Sequence, residues 1–312
     1  MVEMIRVSYG TAVAMGLRRG KTLARPTTAY LMTYWPGRCI NDCSFCAQAR
    51  SSKAPLEKLS RVLWPVFKLD DVVEGLQREK FARICLQTVD YPGMIGDVKE
   101  ILGRFSVLSM PISISITPVD HETLEEFKSM GVDYVGVGLD AASERVFKAV
   151  KPGLSWREVW DFAERVVEVL GRGRAFVHVI VGLGETDKEL VETFLRVKEI
   201  GGNVSLFAFT PIKGTKLENL SPPSLTRYRR IQLAQYLVEK GMEDAIVFDG
   251  EWIKGFDLSR EDLKKIPPAV FMTRGCPGCN RPYYNERPGK EPYNYPFPPE
   301  GERFKEALKL SL

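Results

Sequence analysis

From residue 28 to residue 248 the chain alternates two hydrophobic patterns. Short runs of apolar, mostly β-branched residues predict strands at 28–33, 82–88, 112–116, 134–139, 176–181, 205–209 and 245–248. Stretches whose apolar positions recur every three or four residues predict helices at 69–79, 97–105, 121–130, 143–150, 156–170, 187–200 and 225–239. Thr186-Asp187 supplies an N-cap signal for one helix, and Pro118 with Asp120 precedes another. Strands separated by helices of this length imply parallel βαβ units. Six or seven units predict an α/β fold between a partial (β/α)6 and a full (β/α)8 barrel, with chemistry at the C-terminal ends of the strands.

Past Pro267 the periodicity fades into a run rich in Pro, Gly, Tyr and Asn, including Gly275-Cys-Pro-Gly-Cys-Asn-Arg-Pro-Tyr-Tyr-Asn-Glu-Arg-Pro288. A long irregular segment is usually functional or disordered, and its aromatics and paired thiols favour an ordered, functional one. The expected organisation is an N-terminal segment packing on the barrel (1–27), the barrel (28–255) and an irregular cysteine-containing extension (256–312).

Composition narrows the function classes. A net charge of +4, with 27% charged residues, lacks the strong basic field of a nucleic-acid binder. Arg18, Arg19, Lys21 and Arg25 form a small basic cluster that reads as solvated surface. No run approaches a membrane span and the first residues lack a signal-peptide core, so a cytoplasmic protein without a membrane partner is expected. Two histidines, His121 and His178, leave little for a histidine-rich zinc enzyme or a Ser-His-Asp hydrolase. Six cysteines grouped as three, one and two point to metal chemistry rather than a secreted disulfide framework.

The three lie at Cys39, Cys43 and Cys46, spaced C-x3-C-x2-C behind the first predicted barrel strand. Three thiolates can hold three irons of a [4Fe–4S] cluster and leave the fourth iron open for a small molecule. The same spacing also permits a zinc site completed by a distant ligand. Two further turns carry candidate chemistry. Asp140, with Ser143 and Glu144, ends the fourth strand, where a carboxylate can bond ribose hydroxyls or merely cap a helix. Gly182-Leu-Gly184-Glu185-Thr186 joins the fifth strand to a helix and can be a ligand-binding turn or only a tight one.

With these motifs the chain resembles the radical S-adenosylmethionine (SAM) enzymes. That resemblance implies a [4Fe–4S] cluster whose open iron chelates the methionine end of SAM. It implies Phe45 beside the adenine and backbone of the Gly182–Glu185 turn against the same ring. The biotin synthase branch is similar in having an acidic residue at the place of Asp140, which would take the ribose; Ser143 and Glu144 either touch the methionyl end or cap a helix. The Gln48- and Arg50-containing run after Cys46 is similar to that branch too. Gly138, however, stands where the branch has Asn, and Val159 where it has Arg, with Arg157 nearby.

Cys85 sits on the second predicted strand, where biotin synthases place one ligand of a sacrificial iron–sulfur cluster. Their other two cysteine ligands, on the third and fifth strands, are missing here. Cys276 and Cys279 of the Cys-Pro-Gly-Cys turn are expected to replace them and, with Cys85, to hold an auxiliary iron–sulfur cluster. Its fourth position would fall to Ser113, Ser115, Arg274 or Arg281. A buried structural Cys85 and a zinc or redox-active turn remain the alternatives. The run after Gly275 is similar to that of two-protein lipoyl synthases. This likeness implies sulfur insertion into an octanoyl chain on a carrier lysine, Cys85, Cys276 and Cys279 holding the donor. It also implies an octanoylated lipoyl-carrier partner, a paired radical SAM subunit, and a ferredoxin or flavodoxin reductant. Two other readings stand beside it: a radical SAM enzyme of the biotin synthase branch without sulfur insertion, and a zinc-stabilised, non-catalytic partner subunit.

Overall fold

The computed structural model describes residues 1–286 and 289–312; Arg287 and Pro288, which end the cysteine-containing run, lie outside the described residues. The chain starts with β1 (Met4–Val7), helix α1 (Tyr9–Ala14) and β2 (Thr28–Thr33). Every residue of β2 is buried, as a strand covered on both faces requires. A short hairpin, β3 (Lys58–Leu59) with β4 (Val62–Leu63), precedes β5 (Val66–Lys68).

Helices and strands then alternate as the patterning predicts. They are α2 (Leu69–Arg78), β6 (Arg83–Gln87), α3 (Met94–Phe105), β7 (Ile112–Ile116), α4 (His121–Ser129), β8 (Val132–Asp140), α5 (Glu144–Val150), α6 (Trp156–Leu170), β9 (Ala175–Val181), α7 (Asp187–Ile200), β10 (Asn203–Ala208) and α8 (Leu225–Lys240). The hairpin β11 (Ile246–Asp249) and β12 (Trp252–Phe256) follows, then α9 (Arg260–Lys265) and α10 (Gly301–Ser311), which packs on α8.

The eight-stranded sheet runs β10-β9-β8-β7-β6-β2-β1-β5. β2 and β6 to β10 are parallel, while β1 runs antiparallel to both β2 and β5. The number of parallel strands is thus six. The seventh predicted strand, at 245–248, is not one of them: β11 pairs antiparallel with β12 across a turn at Gly250 (φ +60°). Val247 is exposed there, so this strand lacks the two covered faces of a parallel one. β1 was missed because four residues carry too little pattern to register.

Alternation along the strands sorts the interior. On β6, Ile84 and Leu86 are fully buried toward the helices, and Arg83, Cys85 and Gln87 take the opposite face. The same face carries Ser113 and Ser115 on β7, Gly136 and Gly138 on β8, His178 on β9, and Ser205 and Phe207 on β10. Small and polar residues cannot fill a barrel as layers of Val, Ile and Leu would. Space is therefore left inside, and residues from all six parallel strands line one cavity of about 590 Å³. The six strands curl around it as a partial barrel.

The end of this interior at the strand N-termini is stopped by the Cys-Pro-Gly-Cys turn. Thr27 and Thr28 hydroxyls donate to the Gly278 carbonyl at 2.5 and 3.0 Å, and Arg83 Nε donates to the Pro277 carbonyl at 2.9 Å. Asn280 binds the Arg25 carbonyl and the Thr27 amide. Gly278 is obligatory: its φ is +82°, and a Cβ would lie 2.6 Å from that of Ala82. Among the described residues no helix is long and apolar enough to cross a membrane.

Candidate active site

At the C-terminal end of the strands the cavity is roofed by the loop that carries Cys39, Cys43 and Cys46. This loop is locked by its own polar groups. Arg38 donates to the carbonyls of Ala47 and Ala54 at 2.9 and 2.6 Å, and Cys39 N donates to the Gln48 carbonyl at 3.0 Å. The Asp42 carboxylate accepts from the Ser51 amide and hydroxyl and from Lys216 at 2.6 Å. Gln48 Nε2 bridges the carbonyls of Leu56 and Lys58, both at 2.6 Å. Ser44 N reaches the Val150 carbonyl at 2.7 Å, tying the loop to α5.

All three thiols line the cavity, and so does Phe45. Burial pushes Cys43 up to about 12 and Cys46 up to about 11, and raises Cys39 as well. Lys151 acts against the rise at Cys43, whereas Cys46, Asp140 and Cys39 add to it. Free, these thiols hold their protons at neutral pH, and a metal must displace them. The Gln48 amide lies 3.4 Å from Cys46 Sγ, an N–H···S contact that favours a thiolate there. No three His, Cys, Asp or Glu side chains among the described residues are set to hold one metal ion. A cubane distributes its thiolates over separate irons, so three thiols on one cavity wall suit a cluster better than a single ion.

Asp140 also lines the cavity, and the way it gets there is unusual. The β8–β9 register slips between Gly138 and Asp140, and Asp140 adopts φ +65°, a left-handed conformation that non-glycine residues seldom take. Lys151, itself buried, donates to Asp140 Oδ2 at 2.8 Å and to the Gly138 carbonyl. The helix-cap reading of Asp140 therefore fails: Ser143 caps α5, its hydroxyl accepting from Val146 N at 3.4 Å. Glu144 is on the surface, paired with Lys148 at 2.7 Å, and neither Ser143 nor Glu144 lines the cavity.

Gly182, Gly184 and Glu185 stand off the cavity too. Glu185 is buried and turned back on its own turn, where it accepts from Gly182 N and Leu183 N at 2.7 and 2.8 Å and pairs with Arg227 at 2.9 Å. A Cβ on Gly182 (φ +108°) would meet Pro223 at 2.9 Å. Thr186 and Glu189 complete a capping box on α7. The turn's carboxylate thus serves the turn, and Ile180, just before it, reaches the cavity.

The other three cysteines meet at the opposite end. Cys276 and Cys279 share a turn, Cys279 N donating to the Cys276 carbonyl at 2.9 Å. Burial raises the Cys85 thiol strongly, and Cys276 and Cys279 raise it further. Burial likewise pushes Cys276 up to about 11, against a hydrogen bond from Ser113. Tyr30 holds this group in place: its oxygen is 3.5 Å from Cys279 Sγ and accepts from the amides of Asn280 (3.1 Å) and Arg281 (2.7 Å). Of the four side chains considered for a fourth ligand, Ser113 is the one bonded to a thiol of the group. Ser115 lies beside Gly136 on the cavity wall. Arg274 pairs with Glu239, and Arg281 stacks on Phe207 at 3.8 Å and donates to the Arg274 carbonyl at 2.6 Å.

Three cavity residues, Lys151, His178 and Tyr284, belong to no site motif in the sequence, and Arg281, considered above only as a cluster ligand, joins them in the cavity lining. Burial brings His178 down to about 4, with Arg281 adding to the effect, so the ring is neutral. Lys151 closes no motif, and the tertiary fold alone brings it to Asp140. Arg157 is exposed and pairs with Asp161, whereas Lys151 is the cation that acts on the Cys43 thiol; Val159 does line the cavity.

A model of the Radical SAM superfamily matches residues 34–197. A biotin synthase from Persephonella marina is 30% identical over 190 residues, covering 58% of this chain and 54% of that protein. A biotin synthase from Hydrogenobaculum sp. is 26% identical over 196 residues, covering 60% and 56%. The match therefore spans about half the length of these curated relatives. The FeFe-hydrogenase maturase HydG from Carboxydothermus hydrogenoformans superposes with a TM-score of 0.55 at 18% identity, over 70% of this chain and 52% of that one, a likeness of fold.

Proposed function

This chain belongs to the radical SAM superfamily, and on that premise we propose that it is a lipoyl synthase subunit that inserts sulfur into an octanoyl chain on a carrier lysine. The observation that carries this reading is the meeting of Cys85, Cys276 and Cys279 just beyond the lining of a cavity whose roof holds Cys39, Cys43 and Cys46, where Tyr30 and Gln87, which do line it, touch Cys279 and Cys85. Cys39, Cys43 and Cys46 would hold the [4Fe–4S] cluster; Cys85, Cys276 and Cys279 would hold an auxiliary one. When bound, the first supplies an electron that cleaves SAM to methionine and a hydrogen-abstracting 5′-deoxyadenosyl radical, and the second supplies sulfide.

The chain's own residues set the stage for that chemistry. Asp140, kept in place by Lys151, offers an acceptor to ribose hydroxyls, and Phe45 an apolar face to the adenine. His178, neutral, and the Ser115 hydroxyl stand mid-cavity, brought together because Gly136 has no Cβ to part them. Between roof and floor the wall is mostly apolar, with Ile180, Phe207, Phe209 and Tyr284 among its residues, and this suits an acyl chain. A paired radical SAM subunit and a ferredoxin or flavodoxin reductant belong to this reading.

The test is anaerobic incubation of the reconstituted protein with an octanoyl-lysine peptide, SAM and dithionite. A mass gain of sulfur on the peptide, lost in Cys276→Ala while 5′-deoxyadenosine still forms, is the expected result. Formation of 5′-deoxyadenosine with no sulfur transferred, with or without the paired subunit, would overturn it.

A further inference from the structure

The lining of the cavity described above is most exposed to solvent at one identifiable place. Of the residues that line it, Lys21, Thr22 and Leu23 are exposed and every other one is buried or half-buried. They are consecutive, so a mouth of the cavity lies beside this segment. Its position is fixed from below. Gly20 approaches α1 so closely that a Cβ would lie 2.2 Å from the Tyr9 hydroxyl, and Gly10 packs against Pro26 and Thr22. Ser8, Tyr9, Gly10, Ala24 and Pro26 complete the wall on this side.

Two features of the mouth are unexpected for a solvated edge. Leu23 is 69% exposed at the rim of an apolar cavity. Beside it, Arg18, Arg19 and Lys21 are exposed and form no ion pair among the described residues, although Arg18 lies over the Tyr9 ring at 5.3 Å. Arg25 differs, being paired with Glu79. The carboxylates that line the cavity, Asp90 and Asp140, stand at the roof near the three thiols. The mouth is therefore positive around one apolar contact, and the negative charge lies deep inside.

We propose that this rim docks the protein that carries the acylated lysine, through an acidic face of that protein seated on Arg18, Arg19 and Lys21 with an apolar contact at Leu23. The lysine arm enters beside Leu23 and its acyl end reaches the cavity. The inference rests on the function proposed above and names how its substrate is recognised. Unpaired rim charges act chiefly on encounter and salt dependence, and burying an exposed Leu adds apolar area at the contact.

Four lysine peptides test it with the reconstituted protein: octanoylated or acetylated, each flanked by Asp and Glu or by neutral residues. Binding is read by calorimetry at about 50 and about 500 mM salt, where screening differs strongly. We expect the acidic flank to tighten binding about tenfold at low salt and little at high salt, and the triple variant Arg18→Gln, Arg19→Gln, Lys21→Gln to erase the difference. SAM binding, measured alongside, stays unchanged in that variant and shows that it is folded. Equal binding of acidic and neutral flanks overturns the docking surface. Equal binding of octanoyl and acetyl peptides instead counts against the proposed substrate and leaves the flank effect to be read independently. Retention of the protein on phosphatidylserine vesicles, lost in the triple variant, in the absence of any flank effect would assign the rim to lipid and also overturn the proposal.

Discussion

The two groups of thiols differ in how they are made. Cys39, Cys43 and Cys46 belong to one loop whose geometry is set by Arg38, Asp42, Ser51 and Gln48, all within the same short stretch of chain. Cys85, Cys276 and Cys279 meet only because an irregular segment docks under β2 and β6 and is caught by Thr27, Tyr30 and Arg83. The first group is local and shows in sequence as a spacing. The second is a product of tertiary packing: Cys276 and Cys279 show as a Cys-x-x-Cys spacing, but nothing local links that pair to Cys85. A site of the first kind tolerates changes elsewhere in the fold, whereas one of the second kind inherits every weakness in the contacts that assemble it.

The largest expected effect comes from breaking the local group. Cys43→Ala should abolish 5′-deoxyadenosine formation altogether and lower iron from about eight to about four atoms per chain. Next, Cys276→Ala should lose a similar amount of iron and all sulfur transfer yet still cleave SAM; if SAM cleavage fell as far as in Cys43→Ala, the two groups would not be separable as the comparison requires. Lys151→Met leaves the Asp140 carboxylate without its buried partner. It should weaken SAM binding about tenfold or more and lower thermal stability, with Lys151→Arg recovering part of both.

Tyr30→Phe sharpens the contrast further. It removes the oxygen that accepts from the buried Asn280 amide and the partly buried Arg281 amide, and a buried amide left without a partner costs about 1–3 kcal/mol. Iron of the auxiliary site should become labile to chelator in this variant while SAM cleavage persists. The smallest effect is on pH dependence. Burial raises the Glu286 carboxyl, on the docked segment, to about 7. The folded chain then keeps a proton that the unfolded chain releases above the ordinary value of 4.5, so this group favours folding at low pH and the benefit is lost as pH rises to 7. Glu286→Gln should flatten the change in urea midpoint between pH 5 and pH 8.

Legibility in the sequence followed the same divide. Strands at 28–33 and 112–116 were read to the residue because both faces are covered and the runs are continuous. Residues 245–248 look the same in composition but hairpin with a neighbour that lies just beyond a glycine turn, and no local pattern distinguishes the two fates. At the site, Asp140 was visible as a carboxylate ending a strand, while Lys151, its partner, was one lysine among many. Ser143 and Glu144 sat next to the right residue, yet a helix start turned one into a cap and the other to solvent. The Gly182–Glu185 turn was found correctly as a turn, though its carboxylate faces its own backbone.

The docking of Gly278 and Asn280 against the first residues of β2 and β6 has a consequence in time. During synthesis the loop with Cys39, Cys43 and Cys46 leaves the ribosome early, whereas Cys279 emerges only after all six parallel strands. The floor can close only on a nearly finished barrel. An incomplete or arrested chain would hold the first three thiols and lack the last two, so under the function proposed above the residues that start radical chemistry would be in place before those that direct it onto sulfur.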